Sequence, residues 1–301
     1  MLKFQQQVWP ELPDVVIWDY ARLSFMYTVL SKRKLTWFVE EGIVTGWDDP
    51  RMPTVQGVLR RGMQVPALRE FMLMQGASKN VTYQSWDKIW TMNKKVIDPV
   101  CPRHTGVEVE DVVRVTIAGV VDETVEVPKH VKNPDVGMKQ QIRTGTAIID
   151  QADAALLEDG MEITLMAWGN IIVDKVHRNA DGSKVERVDA TLHLEGDFKK
   201  TKLKVTWLAD TDKNVPVTLK HYGFLLTKTK LEEDEVFEDY VNRNSEKIIK
   251  TVGDLNMRDL RQGDVIQLER RGYYIVDSEA SSPEGLVLFD IPDGKMKTMV
   301  M

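Results

Sequence analysis

The sequence has only one cysteine among its 301 residues, Cys101, which excludes an internal disulfide framework and a cysteine-based zinc site. Its five histidines lie far apart, so no pair has the spacing of metal ligands. No run of about eighteen apolar residues occurs, and the N-terminus lacks the apolar stretch of a signal peptide. We therefore expect a cytoplasmic protein with no membrane association and no metal site.

Common catalytic motifs are also absent. The sequence contains no G-x-G-x-x-G, no G-x-x-x-x-G-K-[ST], no G-x-S-x-G and no H-E-x-x-H. The formal net charge is −6, but residues 1–105 carry 14 basic and 10 acidic residues, a net of +4, while the remainder carries 26 and 36, a net of −10. Because phosphate binding depends on local cations, the overall negative sign does not exclude a nucleic-acid partner.

The first third of the chain has the pattern of short helices joined by short loops. A helix is predicted over Lys34 to Glu41. Thr54 has the character of an N-cap, Pro66 suits the first turn of a helix, and Ser85 can cap a helix that ends before Asp98. These features predict a small helical bundle.

After Pro102 the sequence changes to short β-branched runs separated by turns. Asp181-Gly182, between two alternating runs, is the clearest hairpin signal. Residues 234–250 interrupt the pattern with a helix-like insert. This part therefore predicts antiparallel barrels or a sandwich, and the whole chain is predicted to be an α+β multidomain protein.

Val29-Leu30-Ser31-Lys32-Arg33-Lys34 is the most notable local cluster. These six residues alone favour the solvated start of a helix. The functional alternative is a mobile loop whose lysine stabilises the negative charge that grows on ATP phosphates during acyl-phosphate chemistry.

The wider sequence resembles a known family. The stretch IWDYARLSFMYTVLSKRKLTWFVEEGIVTGWDDPRMPTVQGVLRRGM, together with WDKIWTMNKKVIDPVCPR, KHVKNPDVGMK, KVTWLAD and QLERRGYYIVD, closely resembles glutamyl-tRNA synthetases of the eukaryotic and archaeal type. VLSKR occupies the position of the class I K-M-S-K-S signature and departs from it at Val29, Leu30 and Arg33. The resemblance covers nearly the whole chain.

Two alternatives accompany this interpretation. Glutaminyl-tRNA synthetases share the architecture, but the P-T-V of WDDPRMPTVQGVLRRGM, TWFVEEG and MNKKVIDP favour the glutamyl branch. The second alternative is a non-catalytic RNA-binding or scaffold module, against which the intact VLSKR segment speaks.

For the signature loop, the resemblance implies that Lys32 stabilises ATP phosphates, that Ser31 and Arg33 shape its loop, and that Leu30 joins the ATP-binding segment. The family's H-I-G-H motif is absent, and only 28 residues precede Val29. We therefore expect the chain to be the C-terminal part of the enzyme, unable to form glutamyl-adenylate alone. ATP with magnesium is expected in the full-length enzyme, and no cofactor on this fragment.

For the fold, the resemblance implies a helical stem-contact module with the end of the catalytic core in residues 1–105. Two antiparallel anticodon-binding β-barrels follow. The proximal barrel is expected in residues 106–200 plus 276–301 and the distal barrel in residues 201–275.

The implied partner is tRNA(Glu), including its anticodon, with other synthetases of a multi-synthetase assembly as further partners. Sequence-specific RNA recognition uses planar donors and stacking on unpaired bases. The candidate contacts are Arg103, Gln267, Arg270, Lys132, Asn133, Arg60 and Arg61. Each has a structural alternative, such as an ordinary turn at Lys132 and Asn133 or an ion pair of Arg60 with Asp48 or Asp49. The lysine-rich run 199–204 is interpreted as edge-strand protection rather than phosphate contact.

Overall fold

A computed structural model describes residues 7–8, 11, 22–77, 80–232 and 234–295. Four helices and one two-stranded parallel sheet lie in the described residues from 22 to 97. They are α1 (Lys32–Glu40), α2 (Val55–Arg60), α3 (Val65–Met74) and α4 (Asp87–Ile97), with β1 (Leu23–Phe25) beside β2 (Thr82–Gln84).

The predicted cap at Thr54 is confirmed, whereas α1 begins at Lys32 rather than at the predicted Lys34, and the N-cap residue of α4 is Trp86 rather than Ser85. The Thr54 hydroxyl accepts a hydrogen bond from the Gly57 backbone N–H at 2.9 Å, which caps α2. Pro66 lies in the first turn of α3, where its missing N–H leaves no partner unsatisfied. The Asp87 backbone N–H donates to the Ser85 hydroxyl at 3.2 Å, and α4 ends at Ile97.

Strands in residues 113–209 form the first seven-stranded sheet. Its spatial order is β12-β9-β10-β11-β5-β8-β13. The strands are β5 (Val113–Ala118), β8 (Thr146–Ile149), β9 (Glu162–Leu165), β10 (Gly169–Arg178), β11 (Val185–His193), β12 (Lys204–Val205) and β13 (Leu208–Ala209). A short helix α5 (Gln151–Ala154) follows β8, and Gly182 adopts φ +74° in the predicted β10–β11 hairpin, which is confirmed.

The second seven-stranded sheet surrounds the first one in sequence. Its order is β3-β16-β17-β18-β14-β15-β4. The strands are β3 (Arg103–His104), β4 (Gly106–Glu108), β14 (Val215–Tyr222), β15 (Glu246–Gly253), β16 (Val265–Leu268), β17 (Gly272–Ser278) and β18 (Leu286–Ile291). A separate antiparallel pair, β6 (Glu123–Pro128) and β7 (Met138–Arg143), lies between β5 and β8 in the sequence.

This strand pairing divides the chain differently from the predicted barrel boundaries. β18 pairs with β14 and β17 rather than with strands of residues 106–200, and β12 and β13 belong to the first sheet. The inserted sheet therefore extends from Val113 to Ala209 and ends with the two short strands of KVTWLA, while β6 and β7 within this range pair only with each other. Both sheets are open in the described residues, since no pairing joins their outer strands. Residues 296–301, part of the predicted proximal barrel, lie outside the described residues.

The helix-like insert predicted over residues 234–250 is wrong. This segment contains only a 3₁₀ turn, Phe237–Tyr240, and then strand β15. Eight consecutive residues of β15 pair with β14, from Glu246 opposite Tyr222 to Gly253 opposite Val215. Cross-strand pairing therefore overrides the helix-like local sequence of this segment.

Helices α2, α3 and α4 pack on one face of the second sheet. Phe71 of α3 and Trp90 of α4 share a buried cluster with Tyr273, Phe289 and Ile291 of the sheet. The opposite face has its own core, which includes Tyr274 and Leu288. The second sheet is thus the element that fixes the helices relative to the rest of the chain.

The β14–β15 connection covers α1. The Phe237 ring lies edge-on to Trp37, with ring centroids 5.0 Å apart, and contacts Phe38 at 6.0 Å. The Lys34 ammonium group lies 5.1 Å from the Phe237 ring centroid. This connection therefore anchors α1, which begins within the VLSKR segment, to the second sheet.

Candidate nucleic-acid interface

Ser31, Lys32 and Arg33 lie together at the start of α1. Ser31 has extended backbone at the N-cap position and Lys32 is the first helical residue. All three residues are exposed, and Leu30 retains 43% of its accessible surface. Within the described residues, neither Lys32 nor Arg33 forms an ion pair. The helix N-terminus adds unsatisfied N–H groups, so this corner has the features of an anion-binding site.

The solvated-helix interpretation of the six-residue cluster agrees with part of this geometry. Leu35 and Phe38 bury one face of α1, while the cations at its start face water. The same exposure is what a phosphate contact requires, because a lysine already paired with a carboxylate is not free to meet a ligand.

Arg60 forms ion pairs on both sides. Its Nη1 lies 3.0 Å from Asp48 Oδ2, and its Nε lies 2.8 Å from Asp277 Oδ1. These contacts raise the pKa of Arg60, chiefly through the hydrogen bond to Asp277. The Asp48 pair is the structural alternative considered from the sequence, and approach of Arg60 to RNA stays a prediction.

The structure argues against the prediction that Arg61 contacts RNA. It retains 6% of its accessible surface. Its Nη2 donates to the Tyr222 carbonyl at 2.5 Å and to Asp290 Oδ2 at 3.1 Å, and its guanidinium lies 5.9 Å from the Trp90 ring. Because the guanidinium is buried and bonded, Arg61 joins α2 to the second sheet and cannot meet a phosphate without unfolding this contact.

Arg103 and Gln267 are brought together by the second sheet. They are direct partners in the parallel β3–β16 pairing, and Gln267 is also opposite Tyr273 of β17. Residues in such a row project to the same face of the sheet. Both side chains are half-buried, and Arg103 Nε is buried without a hydrogen-bond partner in the described structure. Arg103 therefore retains an unsatisfied donor close in sequence to the end of α4.

Arg270 lies at the turn between β16 and β17, where it adopts φ +63°. Its guanidinium binds Asp153 of α5 through two bonds, of 2.5 Å and 2.8 Å. The hydrogen bond to Asp153 raises the pKa of Arg270. The side chain nevertheless retains 42% of its accessible surface, so it is both an inter-sheet contact and an exposed cation.

Arg271 was not singled out from the sequence, although it has more partners than Arg270. It donates to Glu108 Oε1 and to Asp150 Oδ2, each at 2.6 Å, and to the Gly106 carbonyl at 3.1 Å. Arg270 and Arg271 therefore bind acidic residues on both sides of strands β5 and β8 in the sequence. Glu108 precedes β5, whereas Asp150 and Asp153 follow β8. No local sequence pattern identifies these partners, because they are distant in the chain.

Lys132 and Asn133 belong to an exposed turn. Lys132 is exposed, and within the described residues its ammonium group forms no ion pair. Asn133 Nδ2 donates to the Pro99 carbonyl at 2.8 Å, and Asn133 Oδ1 accepts from the Asp135 N–H at 3.1 Å. Asn133 therefore holds the turn against the end of α4, and Lys132 is the more accessible of the two for RNA.

A buried charged cluster that the sequence did not predict lies beside Arg103. Asp254 Oδ1 lies 3.1 Å from His104 Nδ1, and Asp254 Oδ2 lies 3.3 Å from Lys139 Nζ. The Thr105 N–H also donates to Asp254 at 3.0 Å. Burial alone would raise the pKa of Asp254, but His104, Lys139 and the Thr105 N–H together hold that pKa below its usual range. This cluster ties β7 and the Leu255–Asp259 turn to β3.

The described residues contain no cluster of three or more His, Cys, Asp or Glu side chains arranged to hold a metal ion. In the same part of the chain, no helix has both the length and the apolar character needed to cross a bilayer.

Comparison with known proteins identifies the class. Sequence models of class I tRNA synthetases for E and Q match three successive regions: the catalytic domain over residues 6–99, and two anticodon-binding domains over residues 101–193 and 204–277. The chain belongs to this family of class I glutamyl- and glutaminyl-tRNA synthetases, which confirms the resemblance found in the sequence.

The relatives are glutamate–tRNA ligases. A probable cytoplasmic glutamate–tRNA ligase of Schizosaccharomyces pombe is 47% identical over 286 residues, and the cytoplasmic glutamate–tRNA ligase of Saccharomyces cerevisiae is 49% identical over 288 residues. Both alignments cover 94% of this chain and 40% of the relative. The bifunctional glutamate/proline–tRNA ligase of Cricetulus griseus is 48% identical over 293 residues, which cover 19% of that protein. The chain therefore spans about two fifths of the length of the cytoplasmic relatives.

Proposed function

We propose that this chain is the tRNA-binding part of a cytoplasmic glutamate–tRNA ligase, which in full-length form attaches glutamate to tRNA(Glu) with ATP through a glutamyl-adenylate. The observation that carries the proposal is the succession of two anticodon-binding regions, 101–193 and 204–277, in a chain 47–49% identical to cytoplasmic glutamate–tRNA ligases. Those names favour the glutamyl over the glutaminyl alternative. They also agree with the predicted cytoplasmic location.

In this proposal the described helices before Asp98 form the stem-contact module. The two sheets act as anticodon-binding half-barrels, with residues 113–209 inserted into the second one. Arg103 and Gln267 are proposed to contact unpaired bases, since their row on the sheet offers planar donors at one edge. Lys132 and Arg270 are proposed to contact RNA through their exposed cations, and Asn133 through the turn that it holds.

Lys32 is proposed to act in the activation step of the full-length enzyme. ATP, with magnesium, supplies the phosphoanhydride that activates glutamate. The residues present fit a phosphate: Lys32 and Arg33 are exposed, unpaired within the described residues, and lie at the N-terminus of a nine-residue helix. The Lys32 ammonium group would offset charge that grows on phosphate oxygens, and Ser31 and Arg33 would set the loop geometry. Arg60 of α2 is proposed to contact the tRNA backbone.

The bifunctional relatives carry two synthetase names in one protein. This supports, as a second element of the proposal, association of the intact protein with other synthetases.

The proposal is tested by binding of a tRNA(Glu) transcript to this chain at fixed salt. We expect Gln267→Ala to weaken binding about five- to a hundredfold, the range for loss of one good base contact. Gln262→Ala, at an exposed glutamine on a neighbouring loop, is the matched control and is expected to bind as the unchanged chain does. Equal affinities for both variants would contradict the proposed base contact.

A further inference from the structure

An exposed aromatic ring and three free cations share one turn of the first sheet. Residues 194–203 connect β11 to β12, and we name this segment the lysine turn. Phe198 retains 56% of its accessible surface, which is unusual for a phenylalanine outside an interface. Lys199, Lys200 and Lys202 are exposed, and none of them forms an ion pair with a described residue.

The lysine turn is held by a hydrogen-bonded polar chain. The hydroxyl oxygens of Thr201 and Thr164 lie 2.5 Å apart, and Thr164 donates to Asn170 Oδ1 at 2.8 Å. Asn170 Nδ2 then donates to Glu162 Oε1 at 2.8 Å. Thr201, Thr164 and Asn170 are all buried. A buried, satisfied network of this kind fixes geometry, so the turn presents its exposed residues in one arrangement.

Gly196 shows how closely the turn lies against the sheet. A Cβ atom at this position would be 2.0 Å from Glu162 Oε1 and 2.6 Å from Asn170 Nδ2. His193 Nδ1 also lies 2.9 Å from Glu162 Oε1. Hydrogen bonds from Asn170 and His193 hold the pKa of Glu162 below its usual range, so the anchoring carboxylate stays charged. The exposed Phe198 is therefore carried by a rigid support rather than by a loose loop.

The lysine turn is close in sequence to Thr206, which contacts Arg270. Thr206, whose hydroxyl lies 3.4 Å from Arg270 Nη1, is four residues after Lys202. Four residues span at most about 14 Å, so the backbone of Lys202 lies within about that distance of Thr206. Neither of the matched anticodon-binding regions, 101–193 and 204–277, includes the lysine turn.

We propose that the lysine turn is a binding site for single-stranded RNA, in which Phe198 stacks on an unpaired base and the lysines contact the flanking phosphates. This inference rests on the proposed tRNA-binding function and adds a stacking site to it. Aromatic rings interleaved with cations are the pattern of single-strand binding, because every base offers a π-face and the backbone requires positive charge. A protein partner fits less well, since lysine is depleted at protein interfaces. Lys204, the last lysine of the run interpreted as edge protection, lies in the edge strand β12 and donates to the Thr201 carbonyl at 2.9 Å.

The test compares Phe198→Ala, Phe198→Trp and Val121→Ala in the full chain. Val121 retains 83% of its accessible surface on another loop and is the matched exposed apolar control. Binding is measured with the tRNA(Glu) transcript and with a short single-stranded RNA that carries 2-aminopurine, whose fluorescence falls on stacking. We expect Phe198→Ala to weaken binding roughly five- to a hundredfold and to abolish the quenching, while Phe198→Trp retains both.

The lysines are tested separately by salt dependence. Replacement of Lys199, Lys200 and Lys202 by alanine should reduce the slope of log affinity against log salt by about 2, since each phosphate contact on a single strand contributes about 0.7. If Phe198→Ala binds and quenches as Val121→Ala does, the proposal is overturned, whatever else the turn binds. If the unchanged chain binds tRNA(Glu) no better than an unrelated tRNA, it is the proposed function that fails.

Discussion

Arg270 and Asp153 join the two seven-stranded sheets through a two-bonded ion pair, with Nη2 and Oδ1 2.8 Å apart. Asp153 is buried at the end of α5 beside the first sheet, whereas Arg270 lies on a turn of the second. The adjacent Arg271 binds Asp150 and Glu108. A residue proposed to meet RNA is therefore also part of the contact that sets the relative position of the two anticodon-binding regions.

Arg270→Ala should destabilise the chain by about 1–2 kcal/mol. The variant leaves the buried Asp153 carboxylate without its cation, but the exposed guanidinium limits the loss. The measurement is the free energy of unfolding in urea. Arg261→Ala removes a comparable but more exposed pair with Glu279 and should cost less than about 0.5 kcal/mol. Equal effects of the two variants would show that the Arg270–Asp153 pair does not hold the sheets.

Arg61→Ala should be more severe, at about 3–5 kcal/mol, because it leaves the Asp290 carboxylate and the Tyr222 carbonyl without a buried donor. Arg69, exposed on α3, provides the control, and Arg69→Ala should change the unfolding free energy by less than about 0.5 kcal/mol. A mild Arg61→Ala variant with weakened tRNA binding would instead restore Arg61 as an RNA contact.

Phe237→Ala should loosen the β14–β15 connection from α1. Loss of a buried phenylalanine costs about 3–5 kcal/mol, and Phe237 contacts both Trp37 and Phe38. Unfolding followed by tryptophan fluorescence reports the change. The neighbouring Val236 is 58% exposed, so Val236→Ala should be nearly neutral. A neutral Phe237→Ala variant would mean that α1 is held by other contacts.

Asp254 predicts a particular dependence of stability on pH. Its pKa is lowered in the folded chain, so its contribution is complete well above about pH 4, the ordinary pKa of an unfolded aspartate. As the pH falls below about 4, the unfolded state binds the proton first, and stability drops by up to about 1.4 kcal/mol per pH unit. Asp254→Asn should be less stable at pH 7 and should show a shallower decline between about pH 4 and pH 2. Identical acid slopes for the two chains would rule out this contribution.

Local signals in the sequence predict some elements well. The Thr54 cap, the Pro66 helix start and the turn at Asp181-Gly182 each depend on neighbouring residues alone, and each is confirmed. Strand β15 could not be predicted in this way, because its residues Glu246–Gly253 are mostly exposed or half-buried and its strand conformation depends on pairing with β14.

The site residues also divide into those that local sequence predicts and those that depend on distant contacts. Exposure of Lys32 follows from its place before the apolar residues of α1, which local sequence reveals. The burial of Arg61 against Asp290, and the partners of Arg271, depend on contacts between segments more than 100 residues apart. Such contacts have no local signal in the sequence. The end of the inserted sheet could not be predicted either, because the short strands of KVTWLA pair with strands distant in the chain.

We propose that this chain recognises tRNA(Glu) through its anticodon-binding regions. The most direct measurement is its affinity for tRNA(Glu) and tRNA(Gln) transcripts, side by side at one salt concentration, because salt alone shifts such affinities by orders of magnitude. We expect tighter binding of tRNA(Glu), and a loss of this preference when the two anticodon loops are exchanged. Equal affinity for the two transcripts would contradict it.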